Sequence, residues 1–383
     1  MRAKLPVLLS GAAALVLAVA GHAVAADSAA PPAKTQVDPQ QLQKVVERGI
    51  TFLTTKGQAP DGSYSAPAGV GVTCLATTAL LRHGRGPDDP AVAKSLKLME
   101  SYVQPDGGIY VKDSFVKNYE TGLALLLFKE ANRDGRYDAL IKRADGFLKG
   151  IQWNEEEGHD KSSFYYGGAG YGRKARPDLS NTSFLIEALR AAGNGPNDPH
   201  IQMALIFVSR TQNLETEHNT TPFAAKNPDG GFYYTPAADG ESFAGKTPEG
   251  GLRSYGSMTY AGLKSLIYAG LTRDDPRVKA AVTWIRRHYT LKENPGLGQQ
   301  GLFYYFHTFA KTLDVLGEDP LKDDQGVEHH WRVELLDRLS ELQREDGSWI
   351  NSEKRWMEDD PNLVTAYALL ALSYCRPATA ANK

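Results

Sequence analysis

A short turn recurs along this chain, and a periodic chain folds as stacked or ring-closed copies of one unit. GQAPDGSYS (57–65), VQPDGGIYV (103–111), KNPDGGFYY (226–234) and LQREDGSWI (342–350) share a pattern. Each has Gln or Asn, three residues, Gly, one residue, then Tyr or Trp. KSSFYYGGAGYG (161–172) and NPGLGQQGLFYY (294–305) are weaker versions. Gly62 and Gly347 stand 285 positions apart, about 57 residues per unit.

Each turn leads into a helical stretch rich in Ala, Leu and Thr. These stretches align on Thr73, Thr121, Thr182, Thr259, Thr308 and Thr365. Gly84, Gly193 and Gly270 follow eleven residues after their Thr, Asn132 takes that place in the second unit, and Gly317 comes two residues early in the fifth. Gly and Asn tolerate the left-handed conformation that ends helices, so these residues are read as helix stops. A second helix precedes each turn. Four of these open with Asp-Pro: Asp38-Pro39, Asp89-Pro90, Asp198-Pro199 and Asp275-Pro276. Asp accepts from the free amides of the first turn, and Pro gives up an N–H that had no partner there.

The helix after each turn is apolar or small nearly all round, which predicts burial on all sides; the one before it has a charged face and belongs outside. Six such pairs predict an all-α fold, an (α/α)6 toroid with six parallel inner helices around a central cavity, spanning residues 38–376. Ring closure removes the exposed ends that an open superhelix must cap.

The turns Gln58–Tyr64, Gln104–Tyr110 and Gln343–Trp349 resemble the Q-x-x-x-G-x-[WY] repeat of squalene and hopene cyclases, shared more loosely with protein prenyltransferase β subunits. The resemblance implies the α/α toroid of the terpenoid cyclase/prenyltransferase superfamily, here as a single barrel. It also implies an apolar isoprenoid-like ligand in the cavity. Related cyclases carry D-x-D-D-T at the start of an inner helix, and PDLSNTSF (177–184) occupies that place. Asp178 and Thr182 match its first Asp and its Thr; Ser180 stands where the proton-donating Asp belongs, and Asn181 replaces the last Asp. The chain therefore lacks the usual acid. Neither Cys74 nor Cys375 has the D-x-C context of the prenyltransferase zinc site, no D-D-x-x-D occurs, and the thioester signature of complement-type toroids is missing. No metal or cofactor is expected.

The residue before each aligned Thr gives a further clue: Val72, Glu120, Asn181, Met258, His307 and Val364. In a toroid these lie at one level near the mouth, and the mixture of apolar and polar residues predicts a sided pocket. The candidate catalytic residues are Asp178, His307, Glu120 and Tyr255. The candidate ligand-binding residues are Asn181, Ser180, Arg253, Tyr166, Tyr171, Tyr233, Tyr304, Tyr305 and Trp356. Aromatic walls suit an isoprenoid chain, its carbocations, or a stacked sugar. Arg173, Lys174 and Arg176 could receive an anion at a helix N-terminus.

Residues 1–25 have a short basic start, an apolar run and Ala23-Val24-Ala25, as in an export signal that directs a protein to the periplasm or outside the cell; an uncleaved N-terminal anchor is the alternative. Residues 26–37 are expected to be a flexible linker and 377–383 a disordered tail. A net charge of −2, which includes Arg2 and Lys4, gives no basic face for nucleic acid. Two inner-helix cysteines about eight residues, ~12 Å, out of axial level predict free thiols rather than a disulfide. Three function classes stay open. One is an isoprenoid-binding or cyclising toroid. A second is a polysaccharide lyase or hydrolase using Tyr255, His307 and Arg253 on an oligosaccharide. The third is a non-catalytic protein-binding toroid.

Overall fold

The computed structural model describes residues 34–376; the expected leader, most of the linker and the tail lie outside the described residues. Twelve α-helices alternate between two shells. The outer helices are α1 (Pro39–Phe52), α3 (Pro90–Glu100), α5 (Asp138–Lys149), α7 (Pro199–Arg210), α9 (Pro276–Arg287) and α11 (Trp331–Leu342). The inner helices are α2 (Gly71–Arg82), α4 (Lys117–Ala131), α6 (Leu179–Ala191), α8 (Gly256–Tyr268), α10 (Leu302–Leu316) and α12 (Pro361–Leu372). A small hairpin, β1 (Leu321–Lys322) and β2 (Glu328–His329), joins α10 to α11.

Each inner helix packs on the next, α2 on α4 and so on to α12, and α12 returns to α2. The chain is thus a closed α/α toroid. The outer helices α3, α5, α7 and α9 lie against the inner helix that precedes them, and α1 lies against α12 across the closure. The inner helices are buried on nearly every face: in α2, every residue from Val72 to Leu81 is buried. The Asp-Pro signals do what their chemistry predicts. Asp38, Asp89, Asp198 and Asp275 each accept from an amide of the turn they open, and Asp360 does the same for α12. Gly84, Gly193, Gly270 and Gly317 all have positive φ at helix ends. Asn132 does not: its φ is −82°, and its side chain instead accepts from Tyr137 N and donates to Asp138.

The turns hold the ring together, in a register that differs from the sequence expectation. Gly62, Gly107, Gly167, Gly230 and Gly347 all have positive φ. A Cβ on any of them would lie 1.8–2.8 Å from a backbone carbonyl of the next outer helix, at Lys94, Arg143, Met203, Ala280 and Arg48 respectively. Two residues on, the buried amides of Tyr64, Ile109, Ala169, Phe232 and Trp349 donate to the hydroxyls of Thr73, Thr121, Thr182, Thr259 and Thr365. The second and fourth turns therefore place Ile109 and Phe232, not Tyr110 and Tyr233, in the aromatic position. The fifth turn lacks this clamp, and Thr308 bonds back to Tyr304 O.

A glutamine completes four of the seams. Gln58, Gln152, Gln212 and Gln343 each donate to the carbonyl of their own turn glycine and to a carbonyl on the neighbouring outer helix, at Ala91, His200, Arg277 and Val45. Gln104 stands one place too late and bonds only within its own turn, to Tyr102 O and Tyr110 O. Cys74 and Cys375 are free and buried.

Gly347→Ala and Gly193→Ala separate the two demands made on glycine. Gly193 has positive φ with open space around it, whereas Gly347 has positive φ and Arg48 O only 2.3 Å from where a Cβ would sit. Left-handed strain alone costs about 1–2 kcal/mol. Urea titration is expected to show a loss of that size for Gly193→Ala and a clearly larger one for Gly347→Ala; equal losses would remove the close-approach argument.

Candidate functional site

The cavity lies where the inner helices begin. It is lined by Gly71 and Val72 of α2, Tyr119 and Glu120 of α4, Ser180 of α6, Ser257 and Met258 of α8, Tyr304 of α10, and Leu363 and Tyr367 of α12. All six inner N-termini therefore face one mouth. Helix N-termini carry unpaired amides and partial positive charge. Only α6 and α12 supply their own acidic caps, Asp178 and Asp360. The others borrow. Glu120 Oε1 accepts from Val70 N at 3.3 Å, at the start of α2. Glu358 Oε1 accepts from Tyr304 N at 2.8 Å, in the first turn of α10. Asn294 Oδ1 accepts from Ser257 N at 3.0 Å, in α8.

The cavity measures about 290 Å³. Its wall is aromatic and aliphatic, with Phe243, Tyr255, Trp356 and Met357 adding to the helix residues. Two carboxylates, Glu120 and Glu358, line it, and among the described residues no Lys, Arg or His does. Burial raises Glu358 above its ordinary range, although Asn351 Nδ2 and several α10 amides pull it back. Glu120 is 2% exposed, and its Oε2 has no hydrogen-bond partner among the described residues. Tyr119 and Ser180 share a short hydrogen bond, and Ser180 Oγ lies 3.0 Å from Tyr304 Oη. Burial pushes Tyr304 up to about 12 and Tyr119 and Tyr255 well above the usual phenol range.

The structure brings Glu120, Ser180, Tyr171, Tyr255, Tyr304 and Trp356 together around this cavity. The other sequence candidates lie elsewhere. Asp178 is buried as the cap of α6, with Oδ1 accepting from Asn181 N and Oδ2 from Asn181 Nδ2. Asn181 is thereby turned toward Asp178 and Asn118. His307 sits behind the wall, its ring 5.8 Å from that of Tyr367. Burial lowers it to about 3, helped by Lys264 and Arg82. Tyr233 packs with Phe223 and Leu252 and donates to Arg210 O. Tyr305 packs against Tyr260 and Phe309 and donates to Thr290 O. Tyr166 is buried away from the cavity, and Arg253 is exposed with Nε on Lys246 O. Arg176 pairs with Glu241 and Arg173 with Glu157. Glu358 is the residue that sequence reasoning missed: it lies on a loop 54 positions from the amide it caps.

Behind Phe184 lies a buried ion cluster. Glu187 of α6 accepts from Lys264 of α8 at 2.7 Å through one oxygen and from Lys311 of α10 through the other. Burial pulls both lysines toward their neutral forms.

No family model matches this sequence, and no curated protein matches it either. Solved structures do. A protein from Actinoplanes shares 16% identity at a TM-score of 0.49, over 87% of this chain and 99% of that one. The type II terpene cyclase MstE from Scytonema shares 14% at a TM-score of 0.34, over 87% and 98%. A glycosidase variant shares 10% at a TM-score of 0.49, over 88% and 98%.

Two variants test the buried charges. Burial holds Asp178 at about 6, above its ordinary 3.8. The native chain therefore binds this proton more tightly than the unfolded chain. Stability from Asp178 is complete below pH 3.8 and is lost as the pH rises through about 6. Asn also caps helices well, so Asp178→Asn is expected to gain on the wild type across that window in urea titrations, then hold level above it. A pH-independent difference would contradict the assignment. Glu187→Gln removes the carboxylate that both buried lysines bond to and is expected to cost about 1–3 kcal/mol near neutral pH, read in the same titrations.

Proposed function

We propose that the toroid binds a small, mainly apolar ligand of isoprenoid character in the cavity at the inner-helix N-termini. One observation carries this reading: a cavity walled by aromatic and aliphatic side chains, with no basic residue in its lining among the described residues. Such a wall gives a uronate or a diphosphate no cation to bind. Arg253, which the polysaccharide reading needs, is exposed, is not among the lining residues and bonds to Lys246 O. The volume of about 290 Å³ lies at the small end of ligand pockets, which run from roughly 300 to 1,000 Å³. Burial of such a ligand is favourable in proportion to the apolar area removed from water. Of the two acids in the lining, Glu358 is engaged by Tyr304 N and Asn351, whereas Glu120 keeps one oxygen without a partner among the described residues. Asp178 and His307 lie outside the lining, so the reading assigns polar contact with the ligand to Glu120.

Thermal unfolding with added ligands tests the proposal. Geraniol at a hundred times its dissociation constant is expected to stabilise by about 2.7 kcal/mol, a shift of several degrees in Tm. Glucose and glucuronate are expected to leave Tm unchanged. A shift with either sugar and none with geraniol would overturn the reading. Product analysis of the geraniol mixture separates binding from cyclisation.

A further inference from the structure

Resting on the reading that this cavity is a ligand site, we infer that its ligand carries a tertiary ammonium group, with the N–H on Glu120 Oε2 and the alkyl groups against aromatic faces. The first observation is the unpartnered oxygen. Glu120 is 2% exposed and lines the cavity; Oε1 holds Val70 N, and Oε2 holds nothing among the described residues. A buried acceptor without a donor costs free energy that a ligand donor would restore. The second observation is the wall around it. Tyr119, Tyr255, Tyr304 and Tyr367 line the same cavity. Aromatic faces attract organic cations, most strongly where water is excluded. The third is the charge balance. Glu358, the other carboxylate of the lining, is already engaged by α10 amides and Asn351. Asp178 is engaged by Asn181. Five of the six inner-helix N-termini are thus met by side-chain acceptors, and Oε2 of Glu120 is left without a partner among the described residues.

Nearby cations do not take this place. Arg355 stacks on Phe243 and Trp356 at the exposed rim, 4.8 and 4.6 Å from their ring centres. Lys264 and Lys311 are held on Glu187, with Phe184 next to Lys264. A neutral alcohol could also donate to Oε2, but it would gain nothing from the aromatic faces as a cation does. The aliphatic remainder of the wall, including Val72, Leu75 and Met258, fits the apolar body of an amine.

The test is isothermal titration of the full chain at neutral pH with N,N-dimethylhexylamine, which is protonated there, and with hexanol and hexanoate. The ammonium is expected to bind at least tenfold more tightly than hexanol, with hexanoate weakest. Glu120→Gln is expected to reduce the ammonium-to-hexanol ratio to below threefold. Tyr255→Leu removes a face without touching Glu120 and is expected to lower the same ratio, which keeps the inference testable should Glu120→Gln not fold. Hexanol binding as tightly as the ammonium overturns the inference while leaving the apolar-ligand reading in place. Binding of none of the three, with no response to geraniol, overturns both. A ratio unchanged in folded Glu120→Gln overturns the assignment to Glu120.

Discussion

The toroid depends on the contact between each turn glycine and the backbone of the next outer helix. A left-handed glycine lets two backbones meet, and a neighbouring glutamine then bonds to a carbonyl on each side. Buried backbone groups that would otherwise lack partners are satisfied across the seam rather than within a unit. The turn threonines fix the inner helix to the same point. Inner and outer shells are thus tied at one place per repeat, and the sixth turn ties to the first helix. The fifth turn, which lacks this device, is where Glu358 reaches across from the loop before α12 to cap α10.

The cavity follows from that geometry. Six helices that start at one level bring six sets of free amides to one mouth. The chain meets five of them with Asp178, Asp360, Glu120, Glu358 and Asn294, three of which are borrowed from neighbouring elements. These groups serve as structural caps first. What distinguishes Glu120 is that it lines the cavity while capping uses one of its oxygens and leaves the other without a partner among the described residues.

Much of this was legible in the sequence, and the misses have physical causes. The six units, the Asp-Pro helix starts and four of the five proposed helix stops follow from local chemistry. The register of the second and fourth turns does not, because Gly107-Gly108 and Gly230-Gly231 offer two candidates and only the neighbouring backbone selects one. Gln152 and Gln212 lie 15 and 18 positions from the glycine carbonyls they bind, whereas Gln58 and Gln343 lie four away, so no fixed spacing reveals them. The column before the threonines found Glu120 but also His307, which the twist of α10 turns behind Tyr367. Tyr233 and Tyr305 fill seams, where an aromatic ring contributes more by packing than by facing a ligand.

Closure has a consequence for how the chain acquires its shape. Gln343 bonds to Val45, 298 positions away, and Trp349 and Leu369 pack over Gly49. Earlier seams join units that follow one another, so they can form in order as the chain lengthens. The first outer helix is different: its partner surface is the last to be made. Loop-closure entropy rises only slowly with length, but the apolar face of α1 stays uncovered until the final unit is present. An arc of five repeats would leave both edges uncovered, so the burial of the first helix depends on the last unit of the chain.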